Sequence, residues 1–526
     1  MESSSPCVTV PTWTKPGYDQ RVIDELIELF QSKVSPALGD VTESELDCLN
    51  LFIVRPSKDA LVKRGYDTNI PLPVFAWIHG GAFGFGAGTD PMWVLEALNL
   101  GKPFIAVFLN YRVGIFGFGA TSAMIETQTD EKIKGVNFGL RDQKVGLQWI
   151  SNNISAFGGD PQRVTIGGQS AGGNSIHLHA LEAKTNQSLP LFQKAIVQSG
   201  AMGTCGPILL ANAQVQWDGL CKVLGISTDN KNAALNAMEK FTAAELIQGT
   251  REIFWLLFPL VNDQLTLDFS VKLDPILVNL GDTSSVQDVS QSGSSIEILL
   301  GEVDNEATIW QHVVETLTSF DTIQERFSSS TVDPQIVEKT LGHYRLSPEA
   351  SLEDIKSGIY RLISEFQFSL PLYKAWKSFA GADFKLKSFY ETTARRYKVN
   401  FGNPFSNGPK KHLYGMSHHC VDLIYIFNAF PSEMNHADTL LKPSEVTNDL
   451  LRQRMQSDWI DFIVSDGGQS FNPDTVVRYD KDRVTRVVKA SEDDFFIQQL
   501  ARLSFLGEHL TEIDSLVNAF TGKGTY

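Results

Sequence analysis

The chain has 526 residues, is 42% hydrophobic and 20% charged, and carries a formal net charge of −16. That is ordinary globular composition with ample length for a large core. The acidic balance argues against nucleic-acid binding, which depends on neutralising phosphates with lysine and arginine, and no apolar run approaches the length of a membrane span.

The start, "MESSSPCVTVPTWTKPGYDQ", has neither the apolar stretch nor the basic flank of a signal peptide. Five cysteines are scattered along the chain, at Cys7, Cys48, Cys205, Cys221 and Cys420. An odd, unclustered set is expected to be reduced thiols in a cytosolic protein. The sequons at Asn153 and Asn186 carry no meaning without secretion.

In chain order, the first apolar run is "LPVFAWIHG", ending at Gly80 and running into the glycine-rich "GAFGFG". The next is "FIAVFLNYR", Phe104 to Arg112, and then "LRDQKVGLQWISNNI" takes helical spacing through Leu140, Val145, Gly146, Trp149 and Ile150. "RVTI", Arg163 to Ile166, is a β-branched strand. It leads through Gly167, Gly168, Gln169, Ser170, Ala171 and Gly172 into a helical "NSIHLHALEA" with Ile176, Ala180 and Leu181 on one side. Further strands are expected at "FQKAIVQSG", ending at Gly200, "SIEILLGE", ending at Glu302, and "FKLKSFYET", Phe384 to Thr392. Apolar strands with helices between them imply a mostly parallel sheet covered on both faces, with the chemistry beyond the carboxyl ends of the strands. The intervals 201–291 and 310–379 contain amphipathic helical patterns and read as cap insertions; "DTSSVQDVSQSGSS", Asp282 to Ser295, reads as a surface loop. One domain spanning 1–526 is expected, with a short atypical segment at 1–45.

The string "GQSAG" is short enough to arise by chance, so its context decides. Strand, tight turn and helix are what an exposed nucleophilic serine needs. Ser170 is therefore the candidate nucleophile, with the Ala171 amide beside it at a helix N-terminus. A serine hydroxyl is weak and needs a base, and the base needs a group to orient it. After the later strand, Glu302, Asp304 and Glu306 are candidate acids, and spacing does not choose among them. The histidines that follow are His312, His343, His412, His418, His419, His436 and His509; the loop "GMSHHC", before the apolar "VDLIYIF", suits a base best. The loop after "WIH" offers successive N–H groups at Gly80, Gly81 and Ala82, and His79 reads as structural. "HLH" at His177 to His179 is no metal site, because residues two apart on a helix point in different directions.

These stretches together resemble the type-B carboxylesterases, the α/β-hydrolase family of cholinesterases and several fungal lipases. The resemblance rests on "FGGDPQRVTIGGQSAG" (Phe157 to Gly172), "NYRVGIFGF", "GLRDQ", "AIVQSGA" and "FPLVND", with a looser match at "DCLNLFIVRP", and covers about Asp47 to Trp459. It implies an α/β-hydrolase fold, Glu306 as acid through its spacing from Gly301, and His419 as base through Asp422 and Phe427. It also implies oxyanion donors at Gly81, Ala82 and Ala171, with no metal and no organic cofactor. The implied activity is hydrolysis of small-molecule carboxylic esters; thioester or lactone cleavage and acyl transfer use the same residues, and an inactive scaffold is the rival of another class. Oligomeric state is not read from the sequence.

The departures are informative. Relatives usually carry Glu before the nucleophile, where this chain has Gln169, and the region before Cys48 lacks the cholinesterase tryptophan. Both disfavour a cationic substrate. The family's N-terminal β module is replaced by "RVIDELIELFQS", expected to be helical, and Cys48 has no evident disulfide partner. An intracellular, disulfide-free, fungal-type member is the expectation. Phe83, Phe85, Trp93, Phe254, Trp255 and Phe258 are candidates for a substrate gorge or for core, and Ser175 for a hydrogen bond behind the site.

Overall fold

The computed structural model describes residues 48–88, 99–131, 134–185, 191–253, 259–263, 265–266, 296–328, 330–380, 393–407, 411–428, 430–467 and 471–521. The expected N-terminal helix, the strand at Phe384 to Thr392, the loop at Asp282 to Ser295, and Cys7, Trp93, Asn186, Phe254, Trp255 and Phe258 lie outside them.

A nine-stranded sheet runs in the order β1-β3-β2-β4-β5-β8-β9-β10-β11. Its strands are β1 (Leu51–Val54), β2 (Leu72–Ile78), β3 (Ile105–Leu109), β4 (Gly159–Gln169), β5 (Lys194–Gln198), β8 (Glu297–Val303), β9 (Ala394–Val399), β10 (Thr475–Tyr479) and β11 (Thr485–Lys489). From β3 to β10 all neighbours are parallel, and β1 and β11 close the edges antiparallel. This is the α/β-hydrolase class expected from the sequence. The edge strands β1 and β11, the strand β10 inside β11, and the strand at Ala394–Val399 were not among the expected ones.

The alternation of side chains explains why the strands are almost wholly apolar. Val74, Ala76 and Ile78 of β2 and Ile105, Val107 and Leu109 of β3 face one core; Phe75, Trp77, Ala106 and Phe108 face the other. The first core is completed by α1 (Phe138–Asn153) and α2 (Ala171–Thr185). Leu140, Leu147 and Ile150 of α1 are buried, whereas Val145 and Trp149, expected on the same side, are exposed. The buried stripe runs through Leu140, Gln143, Leu147 and Ile150, at the three- and four-residue steps of a helix; Val145 and Trp149 fall beside it.

Further helices are α3 (Leu352–Ser364), α4 (Leu370–Ala380), α5 (Val421–Ile426), α6 (Asn448–Val464), α7 (Asp494–Glu508) and α8 (Leu510–Thr521). Leu451, Met455, Trp459 and Phe462 of α6 fill the second core. Lys194 of β5 caps the end of α6, donating to the carbonyls of Phe462 at 2.6 Å and Ile463 at 2.8 Å, where the helix dipole is negative.

The two intervals read as insertions differ. In the first, helices at Leu210–Val223, Lys231–Met238 and Ala243–Glu252 accompany a two-stranded ribbon, β6 (Ile208–Leu209) and β7 (Val261–Asn262). In the second, helices Phe320–Ser328, Pro334–His343 and α3 form a separate core with α7 and α8, through Ile323, Phe327, Ile359, Ile363, Leu506 and Phe520. Each such buried aliphatic or aromatic side chain contributes about 1.5–3 kcal/mol.

Candidate active site

The carboxyl ends of β2, β4, β5 and β8 lie along one edge of the sheet, and the candidate residues follow them directly. Ser170 comes between the last residue of β4 and the first of α2, with φ of +59°. A serine in the left-handed region is strained by about 1–3 kcal/mol. Two backbone bonds hold it there: its N–H donates to Gln198 at 2.8 Å, and its carbonyl accepts from Asn174 at 2.9 Å. The turn also requires close packing of α2 on β2. A side chain at Gly172 would run into the carbonyl of Ile78.

After β2 the backbone turns through Gly81, Ala82 and Phe83, with φ of +103°, +49° and +60°. A side chain at Gly81 would collide with the carbonyl of Phe85, which itself donates its N–H to Gly81. Among the described residues the amides of Gly81, Ala82 and Ala171 donate to no backbone or side-chain acceptor. Unused backbone donors of this kind, following strands that end at the same sheet edge as Ser170, are what a candidate oxyanion hole requires. His79, beneath the loop, is buried, stacks on Tyr111 at 4.3 Å and donates from Nδ1 to the Gly80 carbonyl at 2.8 Å; burial pushes its pKa down to about 4. It is a neutral packing residue.

The candidate acid and base arrive from far away in sequence. Glu306 opens a 3-10 turn, Glu306–Trp310, three residues after β8. Its Oε1 accepts the Val303 N–H at 2.9 Å, and its Oε2 receives the Nδ1 proton of His419 at 2.5 Å. The acid is fully buried and the histidine is 2% exposed. The histidine loop is fastened to the same strands: Ser417 Oγ donates to the Val399 carbonyl at 3.0 Å, Asn305 N–H donates to the Ser417 carbonyl at 2.9 Å, and His419 N–H donates to Thr308 Oγ1 at 3.0 Å. With its proton on Nδ1, the ring turns a lone pair on Nε2 toward the turn at Ser170, the nucleophile elbow. There it meets Nε2 of Gln169, adjacent to Ser170, at 3.2 Å.

Two more groups frame the imidazole. A five-residue π-helical turn, Glu365–Ser369, joins α3 to α4. Such turns insert one extra residue and recur at functional sites. This one brings Phe368 against the His419 ring at 5.1 Å, while Gln367 takes the Trp310 indole proton at 2.8 Å and Glu365 pairs with Arg502 at 2.7 Å. Asp422, on α5, is fully buried and accepts from Gln198 at 2.9 Å. Burial raises its carboxyl to about 6, with Glu306 adding to the rise and the Gln198 hydrogen bond and His419 opposing it.

The structure thus brings Ser170, Glu306, His419, Gly81, Ala82 and Ala171 to one edge. Glu302 and Asp304 turn elsewhere, to Lys398 at 3.0 and 3.8 Å. His418 is buried and donates to the His419 carbonyl at 2.6 Å, and His343, His412 and His436 are exposed. His177 accepts from the Met202 N–H while His179 pairs with Gln143, so the two point to different neighbours; among the described residues no cluster could hold a metal. Ser175 donates to the Ala171 carbonyl at 3.0 Å, and Phe83 is core, packed on Phe118 at 4.5 Å. Thr308, Ser417, Ser364 (through the Ala307 N–H) and Phe368 were missed, since no local motif marks them.

The carboxylesterase family matches residues 21–494, and the chain belongs to that family. It is a carboxylic ester hydrolase of the serine type. It is 29% identical over 435 residues to the para-nitrobenzyl esterase of Bacillus subtilis (strain 168), covering 81% of this chain and 78% of that protein. It is 30% identical over 418 residues to Lipase 4 of Diutina rugosa, covering 76% of this chain and 68% of that one. A solved PNB esterase structure superposes with a TM-score of 0.58 at 25% identity, over 88% of this chain and 86% of its own. No helix among the described residues is long and apolar enough to cross a membrane.

Proposed function

We propose that the chain cleaves carboxylic esters of small apolar molecules through an acyl-enzyme on Ser170, with His419 as general base, Glu306 as its orienting acid, and Gly81, Ala82 and Ala171 as oxyanion donors. Ser170 Oγ bonds to the ester carbonyl carbon, its proton passes to His419 Nε2, and the carbonyl electrons move onto the oxygen held by the three amides. The intermediate collapses, the carbon–alkoxy bond breaks, and the alcohol leaves with the proton from His419. Water repeats the two steps on the acyl-enzyme. Glu306 fixes the Nδ1–H tautomer and stabilises the imidazolium. The observation that carries this reading is the buried Glu306–His419 pair, 2.5 Å apart, whose other ring nitrogen lies 3.2 Å from Gln169, the residue before Ser170. The neutral Gln169 and the Phe368 ring support an apolar, uncharged substrate. A cytosolic location is our reading from the scattered five cysteines; fractionation of the native host tests it, and recovery from the medium contradicts it.

The test of function is p-nitrophenol release from acetate, butyrate and octanoate esters by wild type and Ser170→Ala. A fluorophosphonate adduct is read by intact mass alongside. Turnover and one adduct in wild type, both lost in the variant, are expected. A folded protein with neither contradicts the triad; an adduct without turnover redirects the reading to acyl transfer.

A further inference from the structure

Gln169 ends β4, is fully buried, and has Gln198 of β5 opposite it in register. Its side-chain Nε2 is 3.2 Å from Nε2 of His419, while its Oε1 is buried without a hydrogen-bond partner among the described residues. Glu306 holds the ring proton on Nδ1, so the nitrogen facing Gln169 carries a lone pair and the amide N–H donates to it. That lone pair is the one that receives the serine proton.

We propose that Gln169 is a positioning residue for His419. Through its N–H it holds the neutral ring beside the serine turn and favours the unprotonated Nε2 that takes up the Ser170 proton. The inference rests on the triad reading above. It assigns Gln169 a role in the protonation of the base, acting through His419 and touching no substrate atom. The other titratable groups around the ring are Glu306 on the 3-10 turn, Asp422 on α5 and His418 in the loop, with Tyr397 of β9 acting through both carboxylates and Lys398 of β9 through Glu306.

The test compares the full-length wild type with Gln169→Met and Gln169→Glu. The readouts are kcat/KM on p-nitrophenyl butyrate and the fluorophosphonate labelling rate, both between about pH 5 and 9, where the acid limb reports protonation of the free enzyme's base. Loss of a donor to the neutral ring moves the midpoint of the acid limb of Gln169→Met upward by about half a pH unit, the size set by one ordinary hydrogen bond. Gln169→Glu moves it further, because a carboxylate favours the imidazolium. Gln169→Leu repeats the measurement where Met does not accumulate. A Met or Leu profile that superimposes on wild type, or moves downward, overturns the inference even if Glu shifts, since charge alone then explains that shift. A label that maps to Ser170 with superimposed profiles leaves the triad standing and this inference refuted. No label on Ser170 in wild type overturns both.

Discussion

The serine turn and the acid–base pair meet at one sheet edge but are built in opposite ways. The turn is local: strand, glycines, serine and helix lie within Gly159–Thr185, and the bonds at Ser170 reach only to Asn174 and the adjoining strand β5. The acid and base are 113 residues apart, and their placement depends on Thr308, Ser417 and Val399, with Ser364 and the π turn bracing the acid's own turn. A local device is set by sterics, so it fails as a unit. A distributed one is set by many hydrogen bonds, so it loosens in steps.

The variants that sharpen this contrast fall in order of size. Glu306→Gln removes the acceptor that fixes the His419 tautomer; kcat/KM falls by about 10³–10⁴, with melting little changed, as for other triads stripped of their acid. Gly172→Ala forces α2 away from the Ile78 carbonyl and breaks the turn as a whole. It costs about 1–3 kcal/mol in denaturant unfolding, and activity falls with it. If its stability equals wild type at full activity, the turn is not held by packing. Thr308→Val leaves the His419 N–H without its acceptor; a buried orphan donor costs about 1–3 kcal/mol. The expected loss in kcat/KM is about tenfold, with fluorophosphonate still directed to Ser170.

The smallest effect is a pH dependence. Asp422 has its carboxyl raised to about 6 in the fold from 3.8, so the folded state binds a proton that the unfolded state has released between those values. Its contribution to stability is fully present below pH 3.8 and declines as pH rises through about 6. Asp422→Asn is therefore expected to be more stable than wild type at pH 8, by about 3 kcal/mol at most, and to lose that advantage at pH 4. Urea melts at the two pH values check it; an advantage that is equal at both contradicts the sign.

The same contrast explains what the sequence made legible. The central strands, the helix after Ser170 and the loop at Gly81 follow from apolar runs and glycines close together in the chain. Glu306 could not be separated from Glu302 and Asp304 by spacing, and only resemblance chose it. In the fold Lys398 pairs with the other two, whereas Glu306 pairs with His419. Thr308, Ser417 and Phe368 were illegible because their partners lie far along the chain. Val145 and Trp149 were misplaced because Gln143, a polar residue, belongs to the buried stripe and pairs with His179. Gln169 was noted as a departure in charge; its contact with His419 came only with the coordinates.

The central claim is that this distant pair serves this serine, and adduct formation under His419→Ala tests it most directly. Fluorophosphonate labelling of wild type and His419→Ala would be followed in time and mapped by peptide mass. The account predicts a single adduct at Ser170 in wild type and a rate lower by at least about 10³ in the variant, which remains folded. Equal rates in the two proteins, or an adduct on another residue, would contradict it.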